Sequence, residues 1–206
     1  MIHHGEGAPA VDDAIDSIHA FWFGELDDAG LCAADRNALW FRTSDATDAA
    51  LRERFGALLE RARAGELDHW QESDRGLVAL VVLLDQFSRN IHRGTADAFS
   101  GDARALALAC ATVDSGRHLR LPAIHRVFLY MPLEHSEELS HQRRCVALFE
   151  ALADECPREE VANFCRYAIA HLDVIERFGR FPHRNTLLGR SSSEEELDYL
   201  EKHGGF

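Results

Sequence analysis

Between Leu77 and Leu84 the chain runs through eight apolar residues without interruption. With Gly76 in front, this segment has no polar face, so it has to be buried on every side and the rest of the chain must be organised around it. Period alone does not separate a buried strand from a buried helix over so short a run. The continuation Asp85-Gln86-Phe87-Ser88-Arg89-Asn90-Ile91 follows in helical register, and no other segment reads as a convincing strand. The region from about Arg75 to Ile91 is therefore read as a central buried helix. The run is also far short of the roughly 20 apolar residues that a bilayer span needs.

The flanking segments carry helical stripes with recognisable ends. Val11 to Phe23 presents Ile15, Ile18 and Trp22 on one face and stops at Gly24; a loop from Leu26 to Ala34 and a short aromatic segment, Leu39-Trp40-Phe41, follow. Ser44 is read as the N-cap of a helix striped by Leu51, Phe55, Leu58, Leu59 and Ala62 and closed by Gly65. Ser100-Gly101-Asp102 opens a helix to Gly116. Pro122 is placed at the first position of a short helix through Tyr130, which Pro132 is expected to break. Ser136 opens a helix to about Glu155, and Pro157 starts the next, striped by Val161, Phe164, Ala168, His171, Ile175 and Phe178. Gly179 to Arg190 reads as loop. Ser193 with Glu196 has capping-box spacing for a last helix ending at Gly204. The expectation is an all-α fold: about eight helices stacked as helical hairpins around one central apolar helix. Residues 1–206 are read as a single domain, with 1–10 a flexible N-terminal segment. No 34-residue repeat is visible.

Charge bounds the partners. The formal net charge is −13, from 22 Lys+Arg against 35 Asp+Glu, and a field of that sign repels phosphate backbones and anionic membrane surfaces. Neither nucleic acid nor membrane is expected as a partner. Residues 1–74 hold −10 of the total, whereas Glu176 to Arg190 carries four Arg against one acid. No secretory signal is visible at the N-terminus, so a bacterial-type cytoplasmic protein is the default. The five cysteines are odd in number and show no C-x-x-C spacing, which fits reduced thiols. Two Glu-x-x-His pairs, Glu66/His69 and Glu138/His141, have the spacing seen in di-iron bundles, but matching Glu positions on two further helices are not evident. No metal site and no cofactor is assigned. Gly-x-Ser-x-Gly, P-loop and Gly-x-Gly-x-x-Gly patterns are absent from the sequence.

Four polar clusters interrupt the helical pattern. In the first, Asp85 and Arg89 lie four residues apart on one helix face, directly after the apolar run, with Asn90 beside them. They are either a structural ion pair or the lining of a polar pocket. In the second, Arg126 sits in an apolar segment, and Glu134 and His135 fall at the joint between two helices. That placement suits a hydrogen-bonded cap or acid–base work near neutral pH. His171, the third, lies on an apolar stripe and must bond something there. The fourth is Arg177-Phe178-Gly179-Arg180-Phe181-Pro182-His183-Arg184-Asn185. Its guanidinium groups either bind a carboxylate or phosphate or pair internally with Glu134, Glu137, Asp85 or the acidic N-terminal third.

At these residues the sequence also resembles a known family. FWFG, LWF, GLVALVVLLDQFSRNIHRG, AFSGDARALALA, RVFLYMPLEHSEEL, AHLDVIERFGRFPHRNTLLGR and SSSEEELDYL are together similar to an uncharacterised bacterial family, number nine-two-four in the domain-of-unknown-function series. The resemblance extends from about Ile15 to Phe206. It implies an all-helical fold similar to tetratricopeptide-like stacks, and it implies no established reaction. Asp85, Arg89, Asn90, Arg126, Glu134, His135, Glu137, His171, Arg177, Arg180, His183, Arg184 and Asn185 occupy the family's polar motif positions.

Two functions compete at this stage. In one, Asp85, Arg89, Asn90, Arg126, His171, Arg177, Arg180 and Arg184 line a site for a small anionic metabolite, with His135, His183 and Glu134 as proton-transfer residues in metal-independent acid–base chemistry. In the other, a tetratricopeptide-like adaptor binds a peptide or protein partner along a groove.

Overall fold

The computed structural model of the chain describes residues 11–205; the segment 1–10 lies outside them. The α-helices run α1 (Val11–Trp22), α2 (Asn37–Phe41), α3 (Asp45–Ala64), α4 (Asp74–Val82), α5 (Ser88–Ile91), α6 (Asp102–Asp114), α7 (Ala123–Glu134), α8 (Leu139–Glu155), α9 (Glu159–Phe178) and α10 (Glu194–His203). Short 3-10 turns link several of them, and the only strand-like pairing among the described residues is one isolated bridge between Leu26 and Cys32. The fold is all-α. No described helix is long and apolar enough to cross a membrane.

The helix ends follow the local chemistry. Ser44 caps α3 by accepting from the Thr47 N–H, and Gly65 closes it in the left-handed region at φ +87°, where a side chain would be strained. Ser193 and Glu196 form a reciprocal capping box at α10. Two expectations are corrected. Pro132 does not break α7 after Tyr130, because it lies in the last turn. The proline costs a single N–H, and the helix continues to Glu134, where the His135 N–H still reaches the Met131 carbonyl. The segment read as one helix from Arg75 to Ile91 is instead α4 and α5 joined by a π-helical turn, Leu83–Phe87, in which the Ser88 N–H bonds the Leu83 carbonyl.

Every residue from Gly76 to Ser88 is buried, as the apolar run requires. A second element shares that position: all twelve residues of α7 are buried, including His125, Arg126 and Glu134. Around these two, α1, α3, α6, α8 and α9 turn their apolar stripes inward, and α8 with α9 forms the most extensive helix pair. Aromatic rings fill the space between α1, α2, α7 and the π turn. Trp22 meets Phe87 and Phe128 edge-on at 5.3 and 5.7 Å, and the Trp40 indole N–H donates to the Trp22 carbonyl at 3.0 Å. Fully burying a large apolar side chain contributes about 2 kcal/mol, so this cluster anchors the ends of α7 and the π turn. The five cysteines are all free thiols, Cys145 and Cys156 being buried.

Candidate functional site

The π turn places Asp85, and a glycine brings it company. A π turn widens a helix locally and such widenings occur frequently at functional sites. The loop before α6 lies directly against this one: a Cβ on Gly101 would collide with the Leu84 carbonyl oxygen. That close approach sets Asp102, the first residue of α6, beside Arg89. The Arg89 guanidinium donates from Nη1 to Asp85 Oδ1 at 3.0 Å and to Asp102 Oδ1 at 2.8 Å, and from Nη2 to Asp102 Oδ2 at 3.1 Å.

The end of α7 supplies the next two groups. His135 Nδ1 lies 2.7 Å from Asp85 Oδ1, and Gln86 Nε2 donates to Asp85 Oδ2 at 2.6 Å. Burial pushes the Asp85 carboxyl up, but the Arg89 charge and the hydrogen bonds from His135 and Gln86 outweigh it and hold it below the ordinary carboxylate range. Asp85 is therefore ionised, and the His135 nitrogen facing it is the one that carries hydrogen. Glu134 Oε1 lies 3.2 Å from His171 Nδ1, which is also 2.8 Å from the Tyr167 carbonyl. Burial, with the Asp85 charge nearby, raises Glu134 to about 8. Glu134 thus keeps its proton at neutral pH.

The loop after α9 closes the cluster with His183 and Arg184. The Arg184 guanidinium lies against two rings, its Cζ 4.5 Å from the Phe181 centroid and 4.9 Å from that of Phe99. Its side chain is only 8% exposed, its nearest carboxylate oxygen is Asp102 Oδ2 at 3.8 Å, and its Nε is buried without a hydrogen-bond partner among the described residues. Burial and the charge of Arg89 lower its pKa to about 10, which leaves it protonated at neutral pH. Burial also keeps the three imidazoles neutral. His171 is lowered to about 3; His183 is lowered to about 4, with Arg184, His135 and Arg89 adding to the effect; His135 is lowered by burial and Arg89 against the opposing pull of Asp85. Solvent approaches where the side chains of Asp102, Arg89 and His135 keep 26%, 19% and 15% exposure. The arrangement offers, side by side, a cation with an unfilled donor, a protonated carboxyl and neutral imidazoles, one of them oriented by a carboxylate. Such a set can hold an anion and move a proton.

Seven of the eleven candidate residues meet here: Asp85, Arg89, Glu134, His135, His171, His183 and Arg184. The other four have partners elsewhere. Asn90 donates to Asp48 Oδ1 at 2.9 Å, next to the Arg93–Asp48 pair. Arg126 pairs with Glu155 and donates to the Tyr130 hydroxyl, itself 2.6 Å from His118 Nδ1. Arg177 pairs with Glu195 and Arg180 with Glu196, at 2.8 and 2.7 Å. Arg190 forms a two-pronged pair with Glu137, which also accepts the Phe181 N–H. Three of the four arginines between Glu176 and Arg190 are thereby answered by α10 and by the joint before α8, not by the acidic N-terminal third. Arg184 is the one left loosely matched among the described residues.

Asp102 and the ring of Phe99 belong to the cluster and were not among the candidates. The signal was the Phe-Ser-Gly-Asp sequence, in which a glycine precedes a helix-first carboxylate; it reads equally as an ordinary helix start. Two surface clefts, of about 510 and 530 Å3, lie away from the cluster; the first is lined by Cys32, Asp35 and Glu160, the second by Asp27, Arg126 and Glu155. Among the described residues no group of three or more His, Cys, Asp or Glu is placed to hold a metal ion, so the two Glu-x-x-His pairs do not combine into one centre.

Comparison with known proteins assigns the family. Residues 18–204 match the family described as bacterial protein of unknown function (DUF924), and the chain belongs to it. Among solved structures, a protein of unknown function from Agrobacterium tumefaciens is similar, at 33% identity and a TM-score of 0.80, over 94% of this chain and 99% of that one. No curated protein matches.

Proposed function

We propose that this member of the DUF924 family binds a small anionic metabolite, a carboxylate or a phosphate, against Arg184. The Asp85–His135 pair and Glu134 stand ready for proton transfer to or from the bound molecule. The observation that carries this reading is the Arg184 guanidinium itself. A buried cation needs well-made partners, and here, among the described residues, the Nε donor is unpaired and the nearest carboxylate stands off at 3.8 Å. The Phe99 and Phe181 rings lie 4.9 and 4.5 Å from the Arg184 Cζ, and a guanidinium held by rings in this way can still offer its N–H edge to an oxyanion. The neighbouring arginines, by contrast, have their forks filled by Glu195, Glu196 and Glu137.

The test is a thermal-shift and calorimetric titration with sodium formate, acetate, propionate, phosphate and sulfate, at matched ionic strength against sodium chloride. At least one of these anions is expected to raise the melting temperature and to bind in calorimetry. Arg184→Gln is expected to lose that response, and Arg177→Gln, at an exposed pair, to keep it. A panel with no binding anion, or equal binding by Arg184→Gln shown folded by circular dichroism, overturns the reading.

A further inference from the structure

Among the described residues, the Arg184 corner has no spare positive charge. Arg89 and Arg184 bring two, and the carboxylates of Asp85 and Asp102 balance them at 3.0, 2.8 and 3.8 Å. Among the described residues, the titratable groups that face the corner from the other elements are Glu134 and His135 at the end of α7, His171 from α9 and His183 from the loop. Glu137, from the joint before α8, is closed off by Arg190. Glu134 is protonated and the imidazoles are neutral, so the corner is balanced before any ligand arrives. An anion laid against Arg184 leaves one uncompensated negative charge in a largely buried place, and a dianion leaves two. Such charge is costly unless it is paired or neutralised.

Resting on the small-anion reading above, we propose that the ligand is a monocarboxylate taken up together with one proton, and that His135 receives that proton. The proton comes from solvent and ends on the second ring nitrogen, Nε2, because Nδ1 already donates to Asp85 Oδ1 at 2.7 Å; no bond in the ligand breaks. Asp85 then holds the imidazolium that forms. The two other imidazoles are placed less well for the task. His171 Nδ1 faces a peptide carbonyl and the protonated carboxyl of Glu134, and His183 feels the same two guanidinium charges, Arg184 and Arg89, against the pull of Glu137, which Arg190 already holds. What keeps His135 neutral in the free protein is burial and the charges of Arg89 and Arg184. An anion on Arg184 offsets the last of these, and by linkage a proton favoured by the ligand favours the ligand in return.

The experiment is calorimetry of the full chain with sodium propionate and, separately, sodium sulfate, between about pH 5.5 and 7.5. Each titration is run in two buffers of different ionisation enthalpy, so that protons are counted. Propionate is expected to bind with uptake of a proton within this range. Its affinity should fall as pH rises, by up to about tenfold per pH unit, and sulfate should bind at least about tenfold more weakly. His135→Gln should bind propionate without proton uptake and with a flat pH profile. The imidazole signals of the unmutated protein, followed by NMR with and without propionate, should show His135 becoming protonated on binding. Arg184-dependent binding of propionate without proton uptake, sulfate binding as tight as propionate, or uptake that persists in His135→Gln overturns this inference and leaves the small-anion reading standing. Failure of every anion to bind removes both.

Discussion

Glu134→Gln is expected to make the protein more stable, and by an amount that depends on pH. An ordinary glutamate in the unfolded chain loses its proton near 4.5, whereas folded Glu134 holds it up to about 8. Between those values the folded state binds a proton that the unfolded state has released. Stability therefore falls as pH rises from 4.5 toward 8, by about 1.4 kcal/mol per pH unit. At pH 7 the accumulated cost is about 3 kcal/mol. Glutamine has nearly the same shape, does not titrate in this range, and its oxygen can still accept from His171 Nδ1, 3.2 Å away in the native site. The substitution should therefore recover about 3 kcal/mol at pH 7, or a rise in melting temperature of about 6–12 °C for a chain of this size. The gain should shrink as pH falls and be gone near pH 4. Urea unfolding at about pH 4.5, 6 and 7.5, with unchanged slope, measures it. Equal or lower stability of Glu134→Gln at pH 7.5, or a gain that does not vary with pH, would mean that Glu134 is ionised in the folded protein and that the charge balance of the cluster is wrong.

Other substitutions test the supporting structure. Asp85→Asn leaves Arg89 with Asp102 but strips a buried pair of its charge, and should cost about 3 kcal/mol in urea unfolding; a loss as small as that of Arg177→Ala, an exposed pair worth at most about 1 kcal/mol, contradicts it. The same variant speaks to acid stability. Because the folded Asp85 pKa lies below its unfolded value, its contribution is present above pH 4 and is lost as pH falls further, so Asp85→Asn should flatten the acid limb. Gly101→Ala drives a methyl into the Leu84 carbonyl, should cost about 2 kcal/mol, and should weaken anion binding by displacing Asp102 from Arg89. Ser193→Ala removes the α10 capping box and should cost about 1 kcal/mol in thermal unfolding, leaving anion binding unchanged.

The helical fold is legible because its determinants are local. The stripe from Leu51 to Ala62, the cap at Ser44, the stop at Gly65 and the box at Ser193 each act within a turn or two of themselves. The π turn at Leu83–Phe87 was not legible, since it arises where the apolar run must pack against α3, α6 and the Gly101 backbone at once. Pro132 misled because a proline in the last turn of a helix buried on all sides costs little. For the site, sequence identifies which polar residues follow apolar runs, and Asp85, Arg89, Glu134 and His135 are found that way. It does not say which carboxylates from distant elements will meet which arginines. Arg177 and Arg180 look like Arg184 in the sequence, yet Glu195 and Glu196 of α10 occupy the first two. Only the third keeps a buried donor unfilled among the described residues, and that distinction is made wholly by tertiary contacts.

The most direct measurement is a crystal structure of the full chain grown with 3-bromopropionate, with the bromine located by anomalous scattering. A carboxylate within hydrogen-bond distance of Arg184 Nε, bounded by Phe99 and Phe181 and facing His135, is the expected result. Bromine signal confined to the surface clefts, or absent at a concentration that saturates in solution, would contradict an anion site at Arg184.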